Sequence, residues 1–189
     1  MDTHPVELWT ISLTRDYPSH ISEDEAARAN RFKFDADRVR WIRARSALRM
    51  ILSRYAGEDP GNLVFAYGKH GKPSIPFSHV QFNLSHAGDW AIIAVSRSIP
   101  VGVDIERMRL SVDMAALLRR LGEADLPPTE PELYQSWTRR EARSKAAGGA
   151  LFDKPADNIC AIDIAAPAGY SASVALVGYK PVAEYRTMP

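Results

Sequence analysis

One seven-residue segment combines the residue types of a metal site with the alternation of a β-strand. Apolar Val101, Val103 and Ile105 alternate here with acidic Asp104 and Glu106. Because successive side chains of a strand point to opposite faces, both carboxylates would lie on one face. Such a pair can hold Mg²⁺, which binds through a few carboxylates together with water and substrate phosphates. The pattern is equally typical of the solvent face of an amphipathic strand, so both interpretations stay open at this point.

A second segment places an acid and a base in one row with a tryptophan. Trp137, Glu141 and Lys145 are spaced four apart, so on a helix they share a face. A Glu–Lys pair at this spacing is also a common surface ion pair that contributes only about 0.3–0.5 kcal/mol. An exposed tryptophan would be costly, so we expect this row to face the interior or a cleft. A glutamate and a lysine in a cleft could move a proton.

The composition predicts a soluble protein of ordinary size. The chain has 189 residues, 46% of them hydrophobic, which suits one domain or two small halves packed together. No apolar run approaches the roughly 20 residues of a membrane span, and the start resembles no secretory signal. The single Cys160 excludes an intrachain disulfide and favours a reducing compartment. We therefore expect a cytoplasmic protein with no membrane partner.

The charge of the chain is uneven although its formal net charge is only +1. Between Arg28 and Arg54 there are nine Lys or Arg residues against Asp35 and Asp37. Such a stretch favours an anionic partner, either nucleic acid or a phosphorylated small molecule, although it could also be a solvated helix face. The lack of basic density elsewhere favours a compact anion over nucleic acid.

Hydrophobic periodicity predicts an α+β fold. We expect strands at 6–13, 63–67, 80–84, 90–96, 101–106, 159–164, 170–177 and 182–186, and helices at 23–32, 37–55, 114–121 and 133–147. The order β-α-α-β-β occurs twice, with a seam near residues 97–101. We therefore divide the chain into halves at 1–99 and 100–189.

Two further motifs are weak individually. Ser85 and His86 follow a predicted strand, and adjacent side chains of this kind do not form a hydrolytic triad. They indicate either a turn or an anion-binding pair. The tripeptide Gly71-Lys72-Pro73 is a turn by composition and lacks the Gly-Lys-Ser/Thr ending of a P-loop.

Taken together, these motifs resemble those of a known family. The segments that carry the resemblance are Gly71–Pro73, Phe82–His86, Gly102–Glu106 and Trp137–Lys145. In order and spacing they are similar to the 4′-phosphopantetheinyl transferases, and the single-chain, Sfp-type branch fits best. The resemblance implies a pseudo-twofold α+β monomer that binds coenzyme A and Mg²⁺ between two similar halves. It also implies transfer of the phosphopantetheine arm of coenzyme A to a serine of a carrier protein, with release of 3′,5′-ADP.

The resemblance further implies a role for individual residues. The metal ligands would be Asp104, Glu106 and Glu141. Glu141 would also be the general base, directly or through water, and Lys145 would stabilise or protonate the departing phosphate. Coenzyme A would contact Arg28, Arg40, Lys72, Pro73, Ser85 and His86. The partner would be an acyl or peptidyl carrier protein, an acidic helical domain. Glu25 departs from the pattern, because relatives often carry a basic residue there.

Two alternatives stay open from the sequence. A non-catalytic protein that binds coenzyme A or a nucleotide would use the same pocket without turnover. A nucleic-acid-binding module would use the Arg28–Arg54 stretch and show steeply salt-dependent binding. A metal-dependent pyrophosphate hydrolase is a further option.

Overall fold

The computed structural model describes residues 1–109, 113–149 and 156–188. It confirms an α+β fold with helices and sheets mixed along the chain. The strands are β1 (Thr3–Ser12), β2 (Ala66–Tyr67), β3 (Pro73–Ser74), β4 (Gln81–Ala87), β5 (Trp90–Ser96), β6 (Val101–Arg107), β7 (Ile159–Asp163), β8 (Tyr170–Val177) and β9 (Lys180–Arg186). The helices are α1 (Glu23–Ala29), α2 (Asp35–Ala56), α3 (Met114–Arg120) and α4 (Glu130–Ala147), with a short 3₁₀ turn at Pro60–Asn62.

The first sheet has the strand order β4-β5-β1-β9. Strand β1 is antiparallel to β5 and parallel to β9, so the last strand of the second predicted half lies in the sheet of the first. Buried side chains of α2, including Leu48, Ile51 and Leu52, pack against Trp9 and Ile93 on one face of this sheet. This packing fixes the long basic helix against the sheet.

The second sheet has the order β6-β8-β7, and α4 lies against it. Val101, Val103 and Ile105 of β6 are buried with Val6 and Leu8 of β1, which form one core between the two sheets. The opposite face of β6 faces α4. The alternation predicted for β6 is therefore confirmed, and each face of this strand is buried against a different layer.

A side-chain amide joins β4 to β6 although the two strands belong to different sheets. The backbone N–H of Val103 donates to Oδ1 of Asn83 at 2.9 Å, and Asn83 is buried. A buried backbone N–H donor needs an acceptor, and here the side-chain amide oxygen of Asn83 is that acceptor. The contact holds the acidic strand β6 beside the Ser85 end of β4.

The helix boundaries follow local chemistry. Gly57 and Gly148 end α2 and α4 in the left-handed conformation that glycine adopts without strain. Ser22 and Glu25 form a capping box at the start of α1. Within the residues described, no helix is both long and apolar enough to cross a membrane.

One predicted boundary is wrong in a way that matters for the site. We expected a strand at 80–84 and a turn at Ser85 and His86, but β4 continues through Ala87. The hairpin turns only at Gly88, whose φ is +52°, and β5 begins at Trp90. Ser85 therefore points inward and is buried, whereas His86 points outward and is exposed.

Candidate active site

Three polar side chains meet where β4, β6 and α4 come together. Nζ of Lys145 donates to Oδ1 of Asp104 at 2.6 Å and to Oγ of Ser85 at 3.0 Å. Oγ of Ser85 in turn donates to the same Asp104 oxygen at 2.9 Å. Asp104 is only 3% exposed, so its charge interacts with the ammonium group in a poorly solvated place where electrostatic interactions are strong. Residues 85, 104 and 145 thus form one connected cluster.

The close contact of α4 with β6 makes this cluster possible. A Cβ atom added at Gly102 would lie 2.1 Å from the carbonyl O of Ala142 and 2.3 Å from the backbone N of Ala146. Only a residue without a Cβ allows the helix backbone to approach the strand this closely. The approach brings Lys145, one turn along the helix, within hydrogen-bond distance of Asp104 on the strand.

The row predicted on α4 faces inward, as expected. Trp137 is 7% exposed and Glu141 is 9% exposed, whereas the Lys145 side chain is half-buried. Burial raises the pKa of Glu141 to about 7, a shift that Asp104 and Glu106 increase and Lys145 opposes. Glu141 is thus poised to exchange a proton near neutral pH.

Glu106 belongs to the same electrostatic group. Burial and the nearby Asp104 charge raise its pKa, while a hydrogen bond from Trp137 and the charges of Lys145 and Arg109 act in the opposite direction. Three carboxylates near one another destabilise one another's charged forms unless a cation lies between them.

The metal prediction can be compared with the donor atoms present. Among the described residues, no group of three His, Cys, Asp or Glu side chains is already close enough to hold an ion. However, Oδ2 of Asp104 and Oε1 of Glu141 are both buried and have no hydrogen-bond partner among those residues. Buried carboxylate oxygens without donors are unusual, and oxygen donors of this type are what Mg²⁺ prefers. The donor set therefore fits a hard cation.

A cavity of about 320 Å³ opens beside this cluster. It is lined by Arg28, Trp41, Ala44, Arg45, Tyr67, Gly71, Pro73, Leu84, Ser85, His86 and Lys145. Three of these lining residues, Arg28, Arg45 and Lys145, carry a positive charge, and no acidic residue is among the described residues that line the cavity. Trp41, Tyr67 and Leu84 add aromatic and apolar surface. The cavity is therefore suited to an anion that also has a flat apolar part.

Four of the six residues predicted to contact coenzyme A line this cavity: Arg28, Pro73, Ser85 and His86. Arg40 does not line it. Its Nε and Nη2 contact Oδ1 of Asp89 at 3.0 and 2.9 Å, and Asp37 lies 3.5 Å from Nη1. Arg40 is thus engaged with two carboxylates, and a ligand contact there stays a prediction.

Lys72 also does not line this cavity. Its ammonium donates to the backbone carbonyls of Val101 at 2.8 Å and Lys145 at 2.7 Å. Burial lowers the pKa of Lys72 to about 8. The side chain ties the loop before β3 to the ends of β6 and α4, so its contact with the ligand stays a prediction too.

The structure also identifies residues that the sequence analysis did not select. Arg45, Trp41 and Tyr67 line the cavity, and Asn83 and Gly102 position β6. The sequence contains one signal for Trp41 and Arg45. They are four apart on the helix that also carries Arg40, so they share one face of it. The close approach at Gly102 depends on α4, so no local pattern reveals it.

Five of the nine cations of the basic stretch pair with carboxylates of the described residues. Arg38 pairs with Asp35, Arg43 pairs with Asp16, and both Arg45 and Arg49 pair with Glu25. A nucleic-acid surface needs exposed cations that are free to neutralise phosphates. This pairing therefore weighs against the nucleic-acid interpretation.

Comparisons with known proteins agree with the geometry. A family model described as 4′-phosphopantetheinyl transferase, N-terminal, matches residues 12–98. The 4′-phosphopantetheinyl transferase HetI of Nostoc sp. is 35% identical over 165 residues, covering 77% of this chain and 70% of the relative. The 4′-phosphopantetheinyl transferase Sfp of Bacillus subtilis is 29% identical over 143 residues, covering 71% and 63%. The 4′-phosphopantetheinyl transferase AcpT of Salmonella typhi is 32% identical over 146 residues, covering 72% and 70%.

The chain thus spans about two thirds of the length of these relatives. The resemblance drawn from its motifs is confirmed by the family model and by a relative above 30% identity. The chain belongs to the 4′-phosphopantetheinyl transferases, a family of enzymes, and within it to the Sfp-like branch.

Proposed function

We propose that this chain transfers the 4′-phosphopantetheine group of coenzyme A to a serine of an acyl or peptidyl carrier protein and releases 3′,5′-ADP. The observation that carries the proposal is the cavity lined by Arg28, Arg45 and Lys145, next to the buried acids Asp104 and Glu141. A ligand with several phosphates and an aromatic base matches the cations and the aromatic side chains of this cavity.

Transfer requires a serine hydroxyl to attack the phosphorus that carries the pantetheine arm. The bond from that phosphorus to the bridging oxygen breaks, and 3′,5′-ADP leaves with the electron pair. A serine hydroxyl is a weak nucleophile, so a base must take its proton. Glu141 is a buried carboxylate at this site and can accept this proton directly or through a water molecule.

Lys145 and Ser85 suit the leaving-group side of the reaction. Both line the cavity, and the lysine ammonium already holds Oδ1 of Asp104 at 2.6 Å. As negative charge grows on the departing phosphate, the ammonium can shift its hydrogen bonds toward it. A positive charge already held beside the leaving group stabilises the transition state at a small cost in reorganisation.

We further propose that Asp104, Glu106 and Glu141 hold Mg²⁺. Two buried carboxylate oxygens, on Asp104 and Glu141, have no hydrogen-bond partner within the described part of the chain, and they support this assignment. When bound, the ion would neutralise charge on the pyrophosphate of coenzyme A. The raised pKa values of Glu106 and Glu141 describe the metal-free protein, in which Lys145 offsets only part of the mutual repulsion of these carboxylates.

The arrangement of the site supports two related halves with the site at their interface. Ser85 comes from the part before residue 100, whereas Asp104 and Lys145 come from the part after it. Each part has a strand, then two helices, then further strands. We propose a pseudo-twofold relation between these halves. Because one chain supplies the whole cluster, a monomer is sufficient, and the single Cys160 agrees with the cytoplasm.

Mass spectrometry of a carrier tests the function directly. The protein is incubated with an apo-carrier, coenzyme A and Mg²⁺, and the carrier is weighed before and after. A gain of one phosphopantetheine arm, lost when the acceptor serine of the carrier is replaced by alanine, is expected. Tight binding of coenzyme A with no mass gain on any of several carriers would instead support the non-catalytic binding protein.

A further inference from the structure

Arg45 of α2 is an arginine held almost completely inside the protein. Its side chain is 7% exposed, and its Nε donates to Oε1 of Glu25 at 2.7 Å. Its Nη2 donates to the same oxygen and, at 3.1 Å, to the hydroxyl of Tyr67. The guanidinium also lies 4.8 Å from the ring centre of Phe65. These contacts fix its position before any ligand arrives.

The carboxylate of Glu25 accepts hydrogen bonds from two arginines, Arg45 and Arg49. Its Oε2 accepts from Nε of Arg49 at 2.7 Å, and the side chains of Glu25 and Arg49 are both 2% exposed. Nη1 of Arg49 is satisfied by the backbone carbonyls of Pro60 and Leu63, each at 2.9 Å. Arg49 therefore has its own acceptors away from the cavity.

The charges of this buried cluster do not balance. Arg45 and Arg49 bring two positive charges, and Glu25 brings the only carboxylate found in contact with them among the described residues. An unpaired charge in a poorly solvated place costs free energy unless a counter-ion balances it. The excess charge faces the cavity, because Arg45 lines it whereas Arg49 and Glu25 do not.

Arg45 also keeps hydrogen-bonding capacity. A guanidinium has five N–H donors, and the contacts described above use Nε and Nη2. Within the described residues, Nη1 of Arg45 donates to no acceptor. The other cations of the cavity, Arg28 and Lys145, and the exposed His86 surround the same space.

We infer that Arg45, held in place by Glu25, binds a phosphate group of the nucleotide part of coenzyme A and so helps to set the affinity for that substrate. The inference rests on the proposed function for its ligand. Arginine is suited to this contact because its planar donors match phosphate oxygens, and a prepositioned side chain loses little entropy on binding. Glu25 is a positioning residue in this account.

Calorimetric titration with coenzyme A tests the contact. Arg45→Gln removes the charge and keeps a polar side chain, and it should weaken binding about ten- to a hundredfold, as expected for a lost charge-assisted hydrogen bond. Arg38→Gln is the matched control, because Arg38 lies on the same helix but pairs with exposed Asp35 outside the cavity. This control should bind coenzyme A as the wild type does.

Dephospho-coenzyme A, which lacks the 3′-phosphate, identifies the group that is bound. If Arg45 contacts the 3′-phosphate, Arg45→Gln should weaken binding of coenzyme A but hardly change that of dephospho-coenzyme A. If Arg45 contacts the pyrophosphate, both ligands should lose affinity alike. Either result supports a phosphate contact. Unchanged affinity for both ligands in a folded Arg45→Gln protein would overturn the inference.

Arg45→Lys keeps the test decisive if Arg45→Gln folds poorly, and Glu25→Gln tests the positioning role separately. Arg45→Lys keeps the charge but loses the fork of donors, so it should bind more weakly than the wild type yet respond to salt in the same way. Glu25→Gln should raise the coenzyme A KM while leaving kcat nearly unchanged, because it loosens Arg45 without touching the reacting atoms. Equal effects on kcat and KM would contradict the positioning role. A wild-type protein that binds no coenzyme A would refute the proposed function itself, which is a separate outcome.

Discussion

The contact between Gly102 and α4 provides the sharpest test of how the fold builds the site. In Gly102→Ala, the new Cβ would lie 2.1 Å from the Ala142 carbonyl O, 2.3 Å from the Ala146 N and 2.9 Å from the Lys145 carbonyl C. All three atoms are helix backbone, which cannot turn aside as a flexible side chain can. The helix must therefore move away from β6, or the strand must bend.

The size of the displacement follows from these distances. Ordinary contact begins at 3.4 Å, so the Ala142 oxygen must withdraw by about 1.3 Å. A comparable shift of Lys145 would break its 2.6 Å contact with Asp104 and its 3.0 Å contact with Ser85. A misplacement of about 1 Å can cost about 10²-fold in rate. Overpacking of this kind usually costs about 1–3 kcal/mol of stability.

Two measurements follow from this estimate. We expect kcat/KM for carrier modification to fall about a hundredfold, and the Tm to fall by about 2–12 °C for a chain of this size. Gly61→Ala is the control, since among the described residues nothing lies within 4 Å of its added Cβ. A Gly102→Ala protein with wild-type Tm and wild-type kcat/KM would refute the argument that close packing of α4 on β6 positions the site.

Three further predictions concern the charged groups. Asp104→Asn should lower the rate of transfer about 10²-fold or more, because Lys145 loses its charged partner at 2.6 Å. The rate is measured as carrier mass gain over time, and the circular dichroism spectrum should stay that of the wild type. Burial tends to raise the pKa of Glu25, but Arg45, Arg49 and the backbone N–H of Ser22 lower it below 4.5. The ionised Glu25 therefore stabilises the fold fully above pH 4.5, and this stabilisation is lost as the pH falls through the lowered pKa. Urea unfolding should therefore show Glu25→Gln less stable than wild type at pH 7 by about 3–5 kcal/mol, with the difference shrinking below pH 4.5; a constant difference would contradict the ion-pair account. The pKa of Glu141 is raised to about 7, so the metal-free wild type should lose stability as the pH rises from 4.5 through 7. At pH 8 the Glu141→Gln protein should therefore be more stable than the wild type, yet inactive in transfer. Equal stability of the two proteins at pH 8 would contradict this sign.

The parts of the site that lie on single regular elements could be predicted from the sequence. The alternation around Asp104 and the four-residue spacing of Trp137, Glu141 and Lys145 depend only on the periods of a strand and a helix. Trp137 indicated correctly which side of α4 is buried. Local periodicity is sufficient in such cases, because neighbours along one element share a face whatever surrounds them.

The features that depend on contacts distant in sequence could not be predicted. Lys72 is bound by carbonyls of residues 101 and 145, so its sequence neighbours in a turn-rich loop say nothing of this role. Arg45 is one of nine cations in its stretch, and only the fold shows that it is buried with Glu25 and faces the cavity. The strand β4 continued past its predicted end because pairing with β5 extends to Ala87 opposite Trp90. In each case a tertiary partner decides the outcome.

The central claim is that the buried acids and Lys145 form the reactive end of a coenzyme A site. A crystal structure of the protein soaked with coenzyme A and Mn²⁺, with the metal located by its anomalous signal, tests this most directly. We predict the ion on the carboxylates of Asp104 and Glu141, whose buried oxygens have no partner among the described residues, and the pyrophosphate beside Lys145. A metal and pyrophosphate bound away from Asp104, Glu141 and Lys145, in crystals of active protein, would contradict it.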